Sequence, residues 1–156
     1  MGRVSRDDLG AWVVKANPAL WDVHAARAAN EPLDRWRLAE SYRLDLLARG
    51  DRLLVWATRG PSTRQPIGFI GEATVAGPLE IDVGGGDWKR SADREQVRPH
   101  VPLRRTRWWR TAVTIEECRG DPVLRTIEVL QAPRIGNPSW LTDAQLNALE
   151  DLREGA

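Results

Sequence analysis

The chain has 156 residues, 42% of them hydrophobic and 29% charged, with a formal net charge of +1. That length and mix suit one globular domain over residues 1–156 with a substantial core, preceded by a loose N-terminal segment at 1–10. No apolar run approaches a membrane span, residues 1–10 are too polar for a signal peptide, and the single cysteine excludes an internal disulfide, so a cytoplasmic protein without membrane contact is expected.

The first element is "AWVVK" at 11–15, a strand with Trp12 and Val14 on one face and Val13 and Lys15 on the other. It breaks at Lys15-Ala16-Asn17-Pro18, and "LWDVHAARAA" at 20–29 then favours a short helix stopped by Asn30-Glu31-Pro32. An extended piece around Trp36 leads to "SYRLDLLAR", where Ser41 can cap a helical turn. Gly50-Asp51 turns the chain into "RLLVWAT", a strand with Leu54, Trp56 and Thr58 on one face and Leu53, Val55 and Ala57 on the other. The next strand, "IGFIGEATVAG", has Gly68 and Gly71 where a bulge or a close backbone approach is expected.

Residues 77–105 read as the least regular stretch, holding Gly84-Gly85-Gly86 and Trp88. Strand character resumes at "TRWWRTAVTIE", with Trp109 inward and Trp108 beside Arg110 on a more exposed face. A short helical piece near 121–131 and the loop "APRIGNPSW" follow. Thr142 with Gln145 forms a capping-box pattern that opens a terminal helix with Leu146, Leu149 and Leu152 inward, and Trp140 staples that helix. Strands dominate the middle and no βαβ alternation occurs. The fold class is therefore α+β, on a curved or closed sheet.

Residues 89–110 carry eight positive and two negative charges, a local balance of +6. A one-sided basic run of this kind is either a solvated face or an electrostatic footprint for phosphates, with Arg90, Arg104, Arg105, Arg107 and Arg110 as the contacts. Eight tryptophans stand beside one tyrosine and one phenylalanine. Trp12, Trp21 and Trp109 read as core; others can line a pocket.

Motifs for catalysis are missing. There is no GxSxG, P-loop or HExxH pattern, and Gly84-Gly85-Gly86 lacks the following lysine of a phosphate cradle. Glu116 and Glu117, read on a strand, point to opposite faces. Cys118 has no local histidine to activate it, and His24 and His100 lack ligand spacing, so neither a metal nor a cofactor is expected.

The order "WVVKANP", "WRLAESYRLDLLARGDRLLVWATRG", "PIGFIGEATVAGP" and "NPSWLTDAQLNALE" resembles the EVE domain family of the PUA-like superfamily, related to the YTH readers of methylated RNA. The resemblance spans residues 11 to 152. It implies a small β-barrel flanked by short helices, with a pocket that takes one flipped and modified base, a modified cytosine in DNA being a recurring ligand. It also implies DNA over RNA as the partner, alongside a nuclease or other effector.

By position, the resemblance places Lys15 and Asn17 at the pocket, although Lys-Ala-Asn-Pro stands where typical members carry Lys-Ser-Glu-Pro. It makes Trp36 one aromatic wall and Trp88 a second, puts Trp56 and Thr58 on a bordering strand, and has Asn137 and Ser139 supply polar groups. Two other readings stay open. One is an accessory domain binding a small molecule or a protein; the other is an enzyme acting on a base, with Glu72 as the carboxylate a glycosylase needs.

Overall fold

The fold is given by a computed structural model that describes residues 3–83 and 97–155. Trp88 and Arg90, two of the expected site residues, lie outside that range. The strands are β1 (Leu9–Ala16), β2 (Arg35–Arg37), β3 (Arg52–Ala57), β4 (Gly68–Val75), β5 (Glu80–Val83), β6 (Val97–Thr114) and β7 (Ser139–Thr142). The helices are α1 (Val23–Ala28), α2 (Ile115–Arg119), α3 (Glu128–Gln131) and α4 (Asp143–Glu154), with 3-10 turns at Tyr42–Leu46 and Leu124–Thr126.

The strands form one seven-stranded curved sheet in the order β2-β6-β4-β3-β1-β7, with β5 also on β6. Its path of pairing stays open among the described residues. β1 and β3 run parallel, Val14 beside Val55, and the other pairs are antiparallel. This is the expected α+β architecture.

Alternation along β1 and β3 feeds two cores, one on each face of the sheet. Trp12, Val14, Leu53, Val55 and Ala57 join Ile70, Val101, Leu103 and Trp140 in the first. Val13, Leu54, Trp56, Phe69 and Trp109 join Cys118, Leu124, Ile127, Leu141 and Leu149 in the second, beneath α4.

The 18-residue β6 pairs with three strands near one end of the sheet. Its first part pairs with β2 and β5, its second with β4, and Arg105 takes a left-handed φ of 53° where the β4 register slips. At Gly68 φ is +144°, and an added Cβ would lie 2.1 Å from the Val113 carbonyl oxygen, so the glycine permits β4 to lie against β6.

Two expectations change. Residues 77–105 contain β5 and the first half of β6, which Pro99, Pro102 and the arginines hide from an alternation test. Strand β6 ends at Thr114, which caps α2 through a capping box with Glu117, so Glu116 and Glu117 lie in a helical first turn rather than on a strand. Near the N-terminus, Val4 N–H donates to the Tyr42 hydroxyl at 2.9 Å, and Arg6 reaches Asp51 at 2.6 Å.

Candidate nucleic-acid interface

The exit of β1 shapes the larger cleft. The Asn17 side-chain oxygen accepts from Ala19 N–H at 3.0 Å, and its carbonyl accepts from Leu20 at 2.9 Å and Trp21 at 3.1 Å. Asn17 thus sets the turn that presents Trp21. Across the cleft, β2 holds Trp36 opposite Val101 of β6. The two rings meet edge to face, centroids 5.4 Å apart at 79°, a geometry worth roughly 0.5–1.5 kcal/mol beyond buried area. Trp21, read from sequence as core, is half-buried and lines the cleft; its signal was its place just past a strand-exit turn.

The cleft has a volume of about 810 Å³, within the usual range for ligand sites, roughly 300–1,000 Å³. Besides the tryptophans it is lined by Lys15, Asn17, Asn137 and His100, with Arg35, Arg37 and Arg98 beside Glu31, Asp34 and Glu40. The rim therefore mixes both signs. Arg35, Arg37 and His100 carry no sequence signal for this site, because only the β2–β6 pairing brings them to it.

Lys15 and Asn137 form one unit. Lys15 N–H donates to Asn137 Oδ1 at 2.8 Å, and Asn137 Nδ2 donates to the Lys15 carbonyl at 3.1 Å. The Lys15 ammonium donates to the carbonyls of Pro133, at 2.8 Å, and Ile135. Two of its three donors are thereby used, and one is left for a ligand. Burial holds its pKa below the ordinary lysine value, opposed by the charge of Glu128.

The remaining expected residues lie elsewhere. Trp56 is 3% exposed in the second core, edge-on to Phe69 at 4.8 Å, because apolar neighbours on both sides turn it inward. Thr58 bonds the Ala16 carbonyl and does not line the cleft. Ser139 is fully buried and donates to Glu128 at 2.7 Å. Arg105, Arg107 and Arg110 are exposed and Arg104 half-buried on the second part of β6, away from the cleft lining.

Glu72 and Cys118, the carboxylate and thiol weighed for catalysis, lie outside the cleft lining. Glu72 accepts from Arg52 at 3.2 Å and from Trp109 Nε1 at 3.0 Å. Cys118 is buried, which pushes its thiol up to about 12, with Glu117 and Asp121 adding to the shift. Among the described residues no group of three His, Cys, Asp or Glu could hold a metal.

No protein-family model and no curated protein matches the chain. Solved structures do. A protein from Pseudomonas putida superposes with a TM-score of 0.65 at 17% identity, covering 92% of this chain and 99% of its own. The DUF55 domain of human thymocyte nuclear protein 1 gives 0.64 at 13% identity, covering 93% and 99%. The human THYN1 protein in complex with 5-methylcytosine containing DNA gives 0.58 at 13% identity, covering 92% and 97%. With superposition over nearly the full length of both chains, the chain has the fold of the DUF55, or EVE, domains.

Proposed function

We propose that this chain is a non-catalytic nucleic-acid-binding domain whose Trp21–Trp36 cleft captures a flipped, modified base, with DNA as the partner. The observation that carries the reading is the pair of tryptophans lining, together with charged and polar side chains, a cleft of ligand size. A base drawn from its strand needs an aromatic face to stack on and hydrogen-bonding groups along its edges. Lys15, with one donor left, and the backbone around Asn17 and Asn137 are suited to the second task. A structural neighbour complexed with 5-methylcytosine DNA supports the choice of ligand class. The segregation of Glu72 and Cys118 from the cleft supports binding without chemistry.

The test is a binding panel of oligonucleotides carrying different cytosine and adenine modifications, with unmodified DNA as reference. Stacking contributes about 1–3 kcal/mol per base, so Trp36→Ala should cut the preference for the captured modification roughly 5- to 150-fold. Binding to unmodified DNA should fall far less. Equal losses on both substrates would remove the pocket from the account.

A further inference from the structure

A second cavity, of about 480 Å³, opens beside α1 where the 64–66 loop meets the second part of β6. His24, Arg27, Arg64, Trp108 and Arg110 line it, and among the described residues no carboxylate does. Four arginines elsewhere pair with carboxylates: Arg6 with Asp51, Arg43 with Glu128, Arg52 with Glu72 and Glu150, Arg153 with Glu72 and Glu150. Here Arg64 and Arg110 are exposed and have no acidic partner among the described residues.

Arg27 is locked by three bonds, two to the Trp109 carbonyl at 3.1 and 2.7 Å and one to the Arg110 carbonyl at 3.2 Å. Carbonyl dipoles orient its charge without cancelling it. His24 Nε2 is enclosed and has no hydrogen-bond partner. Burial first, and then the charge of Arg27, hold its imidazole below the ordinary histidine value.

Three positive side chains thus line one space to which the described residues supply no anion, with the enclosed His24 ring in its wall. An acceptor with several oxygens satisfies them together, and the planar arginine fork matches a phosphate in particular. We propose that this cavity is a phosphate-binding site, distinct from the tryptophan cleft, and that in a complex with nucleic acid it holds one backbone phosphate. Only the source of the phosphate rests on the nucleic-acid reading of the cleft; the chemistry of the site does not.

Only two histidines occur in the chain, so the His24 ring can be followed by NMR while inorganic phosphate is added to the whole protein. The expected result is a saturable His24 shift that is lost in Arg64→Ala/Arg110→Ala and kept in the charge-matched control Arg119→Ala/Arg125→Ala. A His24 signal that stays still, or that moves equally in both double variants, overturns the site.

The source is read on unmodified duplex DNA. One phosphate contact contributes a slope of about −0.9 in log affinity against log salt, so the cavity variant should bind with a slope shallower by about that amount than the control. Duplex should also displace inorganic phosphate from His24. If the phosphate shift is intact but duplex neither displaces it nor loses slope, the backbone assignment is overturned and the site takes a free phosphate. Trp36→Ala keeps the salt slope and loses only modified-base preference, which separates failure of the cleft from failure of this site.

Discussion

Glu128 is 2% exposed and sits behind the Lys15–Asn137 unit, where it receives both arms of Arg43 at 2.6 and 2.7 Å and the Ser139 hydroxyl at 2.7 Å. Burial alone pushes its carboxyl up, but the bonds from Arg43 and Ser139 and the Arg43 charge outweigh burial and hold it below the ordinary 4.5. A depressed folded-state pKa means that this stabilisation is present above about 4.5 and is lost as pH falls through the lower, folded value. Removing one partner strands the other: Glu128→Ala should cost about 3–5 kcal/mol in urea unfolding at neutral pH, and the deficit relative to wild type should shrink below pH about 4.5. The double variant Arg43→Met/Glu128→Leu should lose less than the single one. A double variant as unstable as the single, or a deficit constant with pH, would falsify this account. None of this was legible in the chain, since Arg43 and Glu128 are 85 positions apart and look like two surface charges. Trp21 and Trp56 fail for a related reason. A tryptophan's sequence neighbours tell which face it takes, and tertiary pairing decides which face is open.

The short helices show what local signals do convey. Thr142 accepts from Gln145 N–H at 3.2 Å while Gln145 Oε1 accepts from Thr142 N–H at 2.9 Å, the reciprocal box that the spacing predicts. The hydrophobic staple is Leu141 with Leu146 in the second core, whereas Trp140, on the alternate face of β7, points into the first. The α4 helix is further bound to the sheet by Arg153 over the Trp109 ring at 3.8 Å and by Glu150 on Arg52 at 2.7 Å. Because α4 closes one core, the cap should be felt globally. Thr142→Ala should lower the unfolding free energy by about 0.5–2 kcal/mol, while Thr142→Ser should restore most of it. Equal losses in the two variants would assign the effect to something other than the cap. The cap of α2 was missed because Thr114 also suits the strand that precedes it, and alternation runs without a break into the capping residue.

At the scale of the whole molecule, the two cores divide the sheet into a rigid centre and lighter edges. β1, β3 and β4 are covered on both faces, and their residues make up much of each core. β2 is a three-residue edge strand paired only to β6, with Arg35 exposed and Trp36 and Arg37 half-buried. One wall of the cleft therefore stands on the sheet's least supported edge, where few apolar contacts oppose local opening. Beside the β2–β6 ladder, two amides flank β2: Leu38, bonded to the Pro99 carbonyl at 2.8 Å, and Leu103, bonded to the Asp34 carbonyl at 2.8 Å. In native-state hydrogen exchange these two should exchange through a local opening that is insensitive to low denaturant, well before Leu54 and Val55 of β3, which open only on global unfolding. Shared protection and shared denaturant dependence across β2 and β3 would contradict a separately mobile wall. This hierarchy follows from pairing order, which the alternating pattern of each strand does not contain. β3 and β4 are consecutive strands along the chain, but the parallel β1–β3 contact and the β2–β6 edge depend on chain crossings. On the proposed reading, a base entering between Trp21 and Trp36 would have to part rings now 5.4 Å apart, and motion of the β2 wall is the displacement that would cost the core least.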